Sequence, residues 1–538
     1  MDPIRLNIFY FLLLLIYYRS IYHLIEYLCK EYPDKNIIVT LFYKKLHIIQ
    51  TKEQVQQVLS KDANTTITFA NDNFFAAHNH PLGIGNLEQT DWKWSIIHKG
   101  LAHALGTSQN MIDSIERNKH ILLGKYGFQY NVKVLDEFTL AVWADFCFGE
   151  KVNHDKYKEM QHLLITTLKK TFYNHTSRTI PYLGAWMVTF RKWYYYENLQ
   201  KVDSMLCKLL ESNTGFMGRF RLAISDKFHC PYLINQIVLD NAFLSVLVFD
   251  FLYIVLINAV IDIAKNKLSH EERLKKQMNY FYNGFLFPNR IRYNTKTGDY
   301  YIVNLLKANL PFSYGPRSCV GPLISDTFYK YTMELLKDFT IESLDKNPIV
   351  HNSDPNIPNI ISQHTINLTL PENYIQTHIP FYPKNNLKFY RIEAICENSM
   401  LLNYIIDQMT KKVNELNVDV IVTADARGFL FASPVAAKTN KPLVIMRKAG
   451  KLAGPVDEIS YQKAYGTTEI IEISMDSNLK DKRVVIIDDG IASGGTTCAM
   501  YNLVTQRGGR VVEVIVALKH TYCNCEYKST PVRHLFMN

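Results

Sequence analysis

The sequence predicts a multidomain protein in which a mainly α domain precedes an α/β domain with a central, mostly parallel sheet. The chain has 538 residues, more than a single domain ordinarily contains. An apolar stretch at 233–266 is typical of a long buried helix. A hydrophobic strand that runs into a glycine-rich loop, 483–497, is typical of an α/β sheet. Between these regions, 346–382 is rich in Asn and Pro, and we interpret it as a linker.

The composition is that of a globular protein, with 47% hydrophobic and 20% charged residues. The net charge of +10 suits phosphates, acidic partners or an anionic membrane surface. Lysine is scattered and no dense basic run with interleaved aromatics occurs, which argues against nucleic-acid binding. Nine irregularly spaced cysteines indicate a reducing compartment. Cys523 and Cys525 form a CxC pair without a second pair, which disfavours a metal site.

Residues 1–30 contain an unbroken apolar and aromatic run, Ile8–Tyr18, with Arg5 before it and Arg19 after it. The run is too short to cross a bilayer as a helix. A short signal-anchor and an interfacial helix both fit the pattern, and a helix packed on the domain itself is the alternative. We expect a membrane-associated protein whose catalytic domains lie on the cytoplasmic side.

The segment 311–321 presents one cysteine, Cys319, in a loop that opens a predicted helix. A thiolate in such a loop suits a haem iron, since Phe312 can pack against the macrocycle and Arg317 can pair with a propionate. The pattern FxxGxRxCxG is complete, and it resembles the signature of the cytochrome P-450 family of haem-thiolate monooxygenases. A buried free cysteine beside a turn is the alternative.

This resemblance implies a domain over 31–345 that binds haem b through Cys319, the iron ligand, and receives electrons from a reductase. It also identifies Trp94 and His98 with the family's WxxxR pair, whose arginine binds a haem propionate. A histidine in that place can donate a hydrogen bond, but it lacks the permanent charge and the bidentate fork of arginine.

Two departures from the family bear on activity. In the long helix, Asp250 is followed by Phe251, where the family has an acid and a threonine that deliver protons to bound oxygen. No ExxR helix precedes the loop of Cys319. A domain that holds or senses haem without activating oxygen is therefore the alternative.

The second candidate centre is the run 483–497, in which Asp488 and Asp489 end a strand and a glycine and hydroxyl loop begins a helix. Backbone N–H groups at a helix N-terminus bind phosphate, and the acids suit ribose hydroxyls. The run resembles the phosphoribosyl pyrophosphate (PRPP) loop of type I phosphoribosyltransferases, and a plain strand–loop–helix with capping acids is the alternative. The predicted phosphate-binding residues are Ala492, Ser493, Gly494, Gly495, Thr496 and Thr497.

Two further motifs, ARGF within 423–430 and RKxGKL within 446–452, resemble those of adenine phosphoribosyltransferases. The resemblance covers 383–538 and implies transfer of ribose 5-phosphate from PRPP to a purine base, adenine favoured, with Mg²⁺ bound to PRPP. Asp488, Asp489 and Arg427 are then the predicted catalytic residues. Lys448 and Lys451 join Arg427 in neutralising the leaving pyrophosphate. A solvated basic surface is the alternative for these cations.

The base side of this site departs from the family. Arg391 lies in the segment that takes the place of the base-stacking residues. The stretch 460–466 resembles the flexible hood SYxLEYG, whose glutamate contacts the purine, and Ala464 takes the glutamate's place. Glu469 is a nearby acid that could substitute. Binding of PRPP without turnover therefore stays open.

Overall fold

The structure is a computed structural model of the chain. The residues it describes are 3–18, 21–41, 44–60, 65–67, 87, 91–125, 129–131, 133–172, 196–211, 214–284, 289–305, 307–310, 312–343, 365–371, 373–384, 387–462, 467–519 and 530–537. They form two compact units. The N-terminal unit comprises residues 1–119, 131–337 and 342–366, and the C-terminal unit comprises 120–130, 338–341 and 367–538. The predicted domain boundaries, 1–30, 31–345, 346–382 and 383–538, stay predictions.

The helices of the described residues are numbered in chain order. They are α1 (Ile8–Tyr18), α2 (Ile21–Glu31), α3 (Lys52–Leu59), α4 (Trp92–Leu105), α5 (Ser108–His120), α6 (Lys133–Phe148), α7 (His154–Phe172), α8 (Tyr196–Leu209), α9 (Phe216–Ser225), α10 (Pro231–Asn266), α11 (His270–Lys275), α12 (Gln277–Gly284), α13 (Pro322–Leu335), α14 (Tyr374–His378), α15 (Ile392–Glu397), α16 (Ser399–Leu416), α17 (Gly428–Thr439) and α18 (Gly495–Gln506). A π-helical turn, Ile121–Lys125, follows α5.

The strands are numbered in the same way. They are β1 (Ile4–Leu6), β2 (Ile37–Leu41), β3 (Lys44–Ile49), β4 (Thr65–Ile67), β5 (Gln129–Asn131), β6 (Asn289–Asn294), β7 (Tyr300–Asn304), β8 (Thr340–Ser343), β9 (Thr365–Thr369), β10 (Phe381–Lys384), β11 (Leu387–Tyr390), β12 (Val420–Ala424), β13 (Leu443–Lys448), β14 (Val456–Gln462), β15 (Thr468–Ser474), β16 (Arg483–Ile491), β17 (Arg510–Lys519) and β18 (Val532–Met537).

The N-terminal unit combines many helices with one mixed sheet, in the strand order β1-β2-β3-β7-β6-β4. Its longest element is α10, with 36 residues, as the apolar stretch 233–266 predicts. Pro231 at its first turn fits because that position needs no N–H donor, and Lys267 ends it in the left-handed conformation. The prediction of a mainly helical N-terminal region is confirmed.

The C-terminal unit is built on a seven-stranded sheet in the order β14-β15-β13-β12-β16-β17-β18. The five strands from β13 to β18 in that order pair in parallel, and the hairpin β14–β15 joins the edge of β13 in antiparallel fashion. Every residue of β12 is buried, as parallel strands covered on both faces require. The predicted α/β domain with a mostly parallel central sheet is confirmed.

The predicted apolar run at the N-terminus forms α1 with the bounds expected from the sequence, Ile8–Tyr18. Within the described part of the chain, no helix combines the length and the apolar character that crossing a membrane requires.

Candidate functional site

The C-terminal site lies where three neighbouring parallel strands end. Ala424 at the end of β12 pairs with Met446 of β13, and Val422 of β12 pairs with Ile486 of β16. Because parallel strands end at the same edge of a sheet, the segments that follow them are brought together there. The three motifs predicted from the sequence are these segments.

A pair of acids lies near the end of strand β16, and Asp489 is half-buried. Asp488 is buried, and its carboxylate accepts a hydrogen bond from the Asp489 backbone N–H at 2.9 Å. Burial, and then the negative charge of Asp489, raise the pKa of Asp488 well above its ordinary value. The Arg427 guanidinium opposes this rise, and its Nε lies 3.2 Å from Asp489 Oδ2. The structure thus brings the three predicted catalytic residues together.

A glycine leaves room for the acid pair beside helix α17. A Cβ atom on Gly428 would lie 2.5 Å from Thr423 Oγ1 and 2.8 Å from Asp488 Oδ1. Both distances are shorter than van der Waals contact, so any side chain at this position would displace Asp488 or the helix. The ARGF motif therefore supplies a cation at Arg427 and, one residue later, the space in which Asp488 sits.

The predicted phosphate loop joins β16 to α18. Gly494 has φ +83°, in the left-handed region that glycine adopts readily, and Gly495 is the first residue of α18. A Cβ atom on Gly495 would lie 2.2 Å from the Gln462 carbonyl oxygen. Among the hydroxyl residues, Thr497 is buried and Ser493 is exposed. The loop thus directs the N-terminus of a helix of 12 residues toward the end of the sheet, as phosphate binding requires.

A tyrosine from the hairpin links this loop to an acid. The Tyr461 hydroxyl donates to Glu469 Oε2 at 3.3 Å and also bonds with the Thr496 side chain. Burial, and more weakly the charge of Glu469, raise the pKa of Tyr461. The sequence did not predict this contact, and Glu469 is the acid that the sequence offered as a substitute at the hood. Ala464 itself lies outside the described residues, as do Cys523 and Cys525.

The predicted pyrophosphate-binding cations lie at and beyond the end of β13, and acids hold them. Lys448 Nζ lies 3.4 Å from Glu469 Oε1, and Lys451 Nζ lies 3.6 Å from Asp425 Oδ2. The Arg447 Nε is 3.5 Å from the same Asp425 oxygen. The side chain of Asp425 is almost completely buried, whereas Lys448 and Lys451 are exposed, so the cations are oriented from one side and open to solvent on the other.

An unpredicted acid, Glu472, shapes the backbone of the same loop. Its carboxylate accepts three N–H groups, from Leu452 at 2.6 Å, Lys451 at 2.8 Å and Gly450 at 3.0 Å. These hydrogen bonds, that of Leu452 first, lower the pKa of Glu472. Glu472 interrupts the isoleucine run of β15, which marks it in the sequence as an unusual residue but does not identify the groups that it contacts.

Arg391, predicted to lie beside the base, is the N-cap residue that precedes helix α15. Its guanidinium forms an ion pair with Glu397. A role for Arg391 in base binding stays a prediction.

Within the described residues, no group of three or more His, Cys, Asp and Glu side chains is placed to hold a metal ion. The acid pair Asp488 and Asp489 offers carboxylate oxygens at the ribose side of the loop, which fits a Mg²⁺ ion that takes most of its ligands from a phosphorylated substrate and water.

In the N-terminal unit, the predicted thiolate loop lies just before α13 and is held by hydrogen bonds between its own residues. The Cys319 N–H donates to the Phe312 carbonyl at 2.9 Å, and the Gly321 N–H donates to Cys319 Sγ at 3.3 Å. Gly315 has φ +75°, and a Cβ atom there would lie 2.1 Å from the Leu59 carbonyl oxygen. Cys319 is exposed.

The structure also brings together the residues predicted to hold the propionates. The Arg317 guanidinium carbon lies 5.5 Å from the centroid of the Trp94 ring, and Nη1 donates to the Leu87 carbonyl at 2.7 Å. The His98 ring stacks on Trp94 with centroids 4.8 Å apart. Burial lowers the pKa of His98, and its hydrogen bond with the Ser318 backbone opposes that shift. His98 Nε2 is buried without a hydrogen-bond partner among the described residues.

Contacts between phenylalanine rings limit the space for a macrocycle beside the cysteine loop. Phe251 of α10 and Phe312 of the cysteine loop meet edge to face, with ring centroids 6.3 Å apart, and Phe281 lies 5.6 Å from Phe312. A flat ring between two side chains needs roughly 7 Å between the atoms on its two faces, about 3.5 Å for each contact. The residues therefore do not fit a haem sandwiched between Phe251 and Phe312. The Asp250 side chain lies outside the described residues.

The fold and site of the C-terminal unit define an enzyme domain that binds a phosphorylated sugar at the end of a parallel sheet. The family described as phosphoribosyl transferase domain matches residues 394–531. The chain is 40% identical over 147 residues to adenine phosphoribosyltransferase of Mesomycoplasma hyopneumoniae, covering 27% of this chain and 83% of the relative. It is 37% identical to the adenine phosphoribosyltransferase of Caldicellulosiruptor saccharolyticus, with the same coverage of each chain.

Among solved structures, adenine phosphoribosyltransferase of Thermoanaerobacter pseudethanolicus is 31% identical, covers 31% of this chain and 100% of its own, and gives a TM-score of 0.30. The sequence similarity to the relatives shows the family. Through its C-terminal domain, the chain belongs to the phosphoribosyltransferase family.

Replacing Asp488 by Asn should raise the melting temperature by a few degrees at neutral pH while it lowers transferase activity. The pKa of this carboxyl is raised in the folded state, so the fold loses stability as the pH rises above the ordinary pKa of aspartate, where the unfolded chain ionises more readily than the folded one. The effect should vanish below the ordinary pKa of aspartate, where the group is protonated in both the folded and the unfolded state. Thermal melts from neutral to acid pH measure it. Asp476→Asn, at an exposed position, is the control. A lower melting temperature of Asp488→Asn at neutral pH would refute the argument.

Replacing Glu472 by Gln should raise KM for PRPP by about 10-fold, with a smaller change in kcat. A neutral amide accepts the three backbone N–H groups less well than a carboxylate and also presents a donor to them, so the loop that carries Lys451 loses its shape. Steady-state kinetics check this. Glu458→Gln is the matched control, because Glu458 is exposed and pairs directly with Glu472 across the hairpin. Equal kinetics for the two variants would contradict the assignment.

Proposed function

We propose that the C-terminal domain transfers ribose 5-phosphate from PRPP to a purine base, with adenine as the favoured base. One observation carries this proposal. The Asp488–Asp489 pair leads directly into the phosphate loop at one end of the sheet, and the cations at and beyond the end of β13 lie at the same end. The names of the relatives support adenine as the base.

N–H groups and cations bind the phosphates of the substrate, and acids bind its ribose. The loop residues Ala492 to Thr497 bind the 5-phosphate through backbone N–H groups and hydroxyls. The acid pair binds the ribose hydroxyls, with Mg²⁺ held by PRPP oxygens and water. Lys448, Lys451 and Arg427 lie where the pyrophosphate would leave.

The reaction breaks the bond between C1′ of the ribose and the pyrophosphate oxygen and forms a bond from C1′ to a ring nitrogen of the base. Positive charge develops on the ribose as the bond breaks, and Asp488 and Asp489 stabilise it. Negative charge grows on the pyrophosphate, and the lysines stabilise that charge without moving, since Asp425 and Glu469 already orient them. The ring nitrogen loses its proton to a base.

The family's motif does not identify the group that accepts this proton, because Ala464 replaces the glutamate of the hood. Glu469 is half-buried, on the strand that leaves the hood, and contacts both Lys448 and Tyr461. We propose that Glu469 positions Lys448 and Tyr461 and partly takes over the role of the missing acid. Binding of PRPP without turnover is the alternative.

The purified full chain with PRPP, Mg²⁺ and adenine should form AMP and pyrophosphate, faster than it forms products from guanine or hypoxanthine. Glu469→Gln should lower kcat/KM for adenine about 10-fold or more, within the range of general acid–base effects. Ala464→Glu should raise it. Chromatography of the nucleotide product measures all three. Failure to form a nucleotide from any purine, together with binding of PRPP, would establish the alternative.

A second hypothesis concerns the N-terminal unit, where the haem-thiolate monooxygenase suggested by the sequence stays a prediction. The hydrogen bond from Gly321 to Cys319 Sγ supports a haem site, as does the buried His98 Nε2, which has no hydrogen-bond partner in the described part of the chain. The contact between Phe251 and Phe312 opposes it. Because that contact leaves no space for a macrocycle on the sulfur, we propose that this unit neither binds haem through Cys319 nor activates oxygen.

The reduced protein, supplied with haem and carbon monoxide, should give the same absorption spectrum before and after Cys319→Ala. The physical reason is that the ring contact between Phe251 and Phe312 keeps a macrocycle from lying on the sulfur. Cys230→Ala, at another exposed cysteine, is the control. A red-shifted Soret band in the wild type and the control that disappears in Cys319→Ala would overturn the proposal and show that Cys319 binds the haem iron.

A further inference from the structure

Helix α1 divides its apolar residues between two faces. One face packs on the N-terminal unit itself, where Phe11 is buried against α2 and the β2–β3 strands, with Leu14 and Leu15 half-buried beside it. The core that it joins includes Leu24 and Ile37, both completely buried. The helix is therefore an integral part of its domain on this side.

The opposite face is apolar and open to solvent. Residues three and four positions apart lie on the same side of a helix, and the exposed residues follow that spacing. Their exposed fractions are Phe9 73%, Leu12 44%, Leu13 64%, Ile16 68% and Tyr17 77%, and Tyr10 beside them is 44% exposed. Isolated exposed hydrophobic residues are ordinary, but six large ones on a single helix form a patch that indicates an interaction site.

We propose that this face of α1 lies flat on the surface of a lipid bilayer that contains anionic lipids, so that the protein is bound to one leaflet and does not span it. The helix has 11 residues, so it is about 16 Å long, against roughly 30 Å for the hydrocarbon core. Its packed face would have to leave the domain core before the helix could stand across a bilayer. An orientation parallel to the surface requires no such change.

Charge and residue type agree with this orientation. The helix contains no charged residue, Arg5 is exposed just before it, and the chain carries a net charge of +10. Exposed Tyr10 and Tyr17 have the apolar ring and polar hydroxyl that suit the boundary between lipid and water. Insertion of the apolar face and attraction of the cations to acidic headgroups act together in interfacial helices.

A second copy of the chain fits this face less well. One side of a three-turn helix, about 16 Å long and 10 Å wide, offers only a few hundred Å². A stable protein–protein interface needs about 800 Å² from each partner. A bilayer surface has no such minimum, since each inserted side chain contributes separately.

Sedimentation of the full chain with vesicles tests the proposal. Vesicles of phosphatidylcholine with phosphatidylserine should bind the protein, and binding should weaken at high salt and on vesicles of phosphatidylcholine alone. The double variant Leu13→Glu/Ile16→Glu should bind at least 10-fold less, because two inserted side chains become charged. Leu222→Glu/Tyr232→Glu, which adds the same charge at exposed positions of α9 and α10, should bind as the wild type does.

Two results would overturn the proposal. Equal loss of binding in both double variants would show a charge effect without insertion of α1 and would overturn the proposal. So would a dimer in solution that Leu13→Glu/Ile16→Glu dissociates, because a second copy would then cover the face. Circular dichroism checks that the variants are folded, so the result does not depend on the transferase activity.

Discussion

The C-terminal site depends on one constraint, a carboxyl group held out of water at the end of a buried strand. Asp488 lies within β16 and pairs with Val516 of the parallel strand β17, so its backbone is held in the sheet. The cost of burial appears as a raised pKa. The Asp489 N–H and the Arg427 guanidinium offset part of it, and a ribose with its metal ion would offset more. Burial of this carboxyl thus costs stability that a bound ligand would partly restore.

The cations of the site are also held in place by neighbouring groups, in this case by acids. Lys448, Lys451 and the loop around them are exposed, and exposed lysines are ordinarily mobile. Here buried Asp425, half-buried Glu469 and buried Glu472 fix the side chains and the loop backbone from the protein side. An array of charges that is already oriented needs little reorganisation when pyrophosphate leaves, which is what electrostatic stabilisation of a transition state requires.

The sequence was sufficient for the parts of this arrangement that follow from strand order. A strand, two acids and a glycine loop identify the end of β16, and the resemblance to the ARGF and RKxGKL motifs identifies Arg427 and Lys448, which the parallel strands then bring to the same edge of the sheet. Glu472 and the contact from Tyr461 to Thr496 could not be found in this way. They depend on the register of the β14–β15 hairpin against β13, and no local pattern in the sequence determines the pairing of residues from separate strands. The contact of Phe251 with Phe312 was missed for the same reason, since it joins a helix to a loop far along the chain.

Helix α1 shows a different limit of sequence reasoning. An amphipathic helix reveals its buried side by alternating polar and apolar residues, but Ile8–Tyr18 is apolar all round, so its sequence is compatible with a signal-anchor, an interfacial helix and a packed helix alike. The fold removes part of this ambiguity, because Phe11 is fixed in the core of the sheet while Phe9 and Ile16 face outward. The uniform composition then has a physical explanation, since both faces need apolar residues when one side meets protein and the other meets lipid.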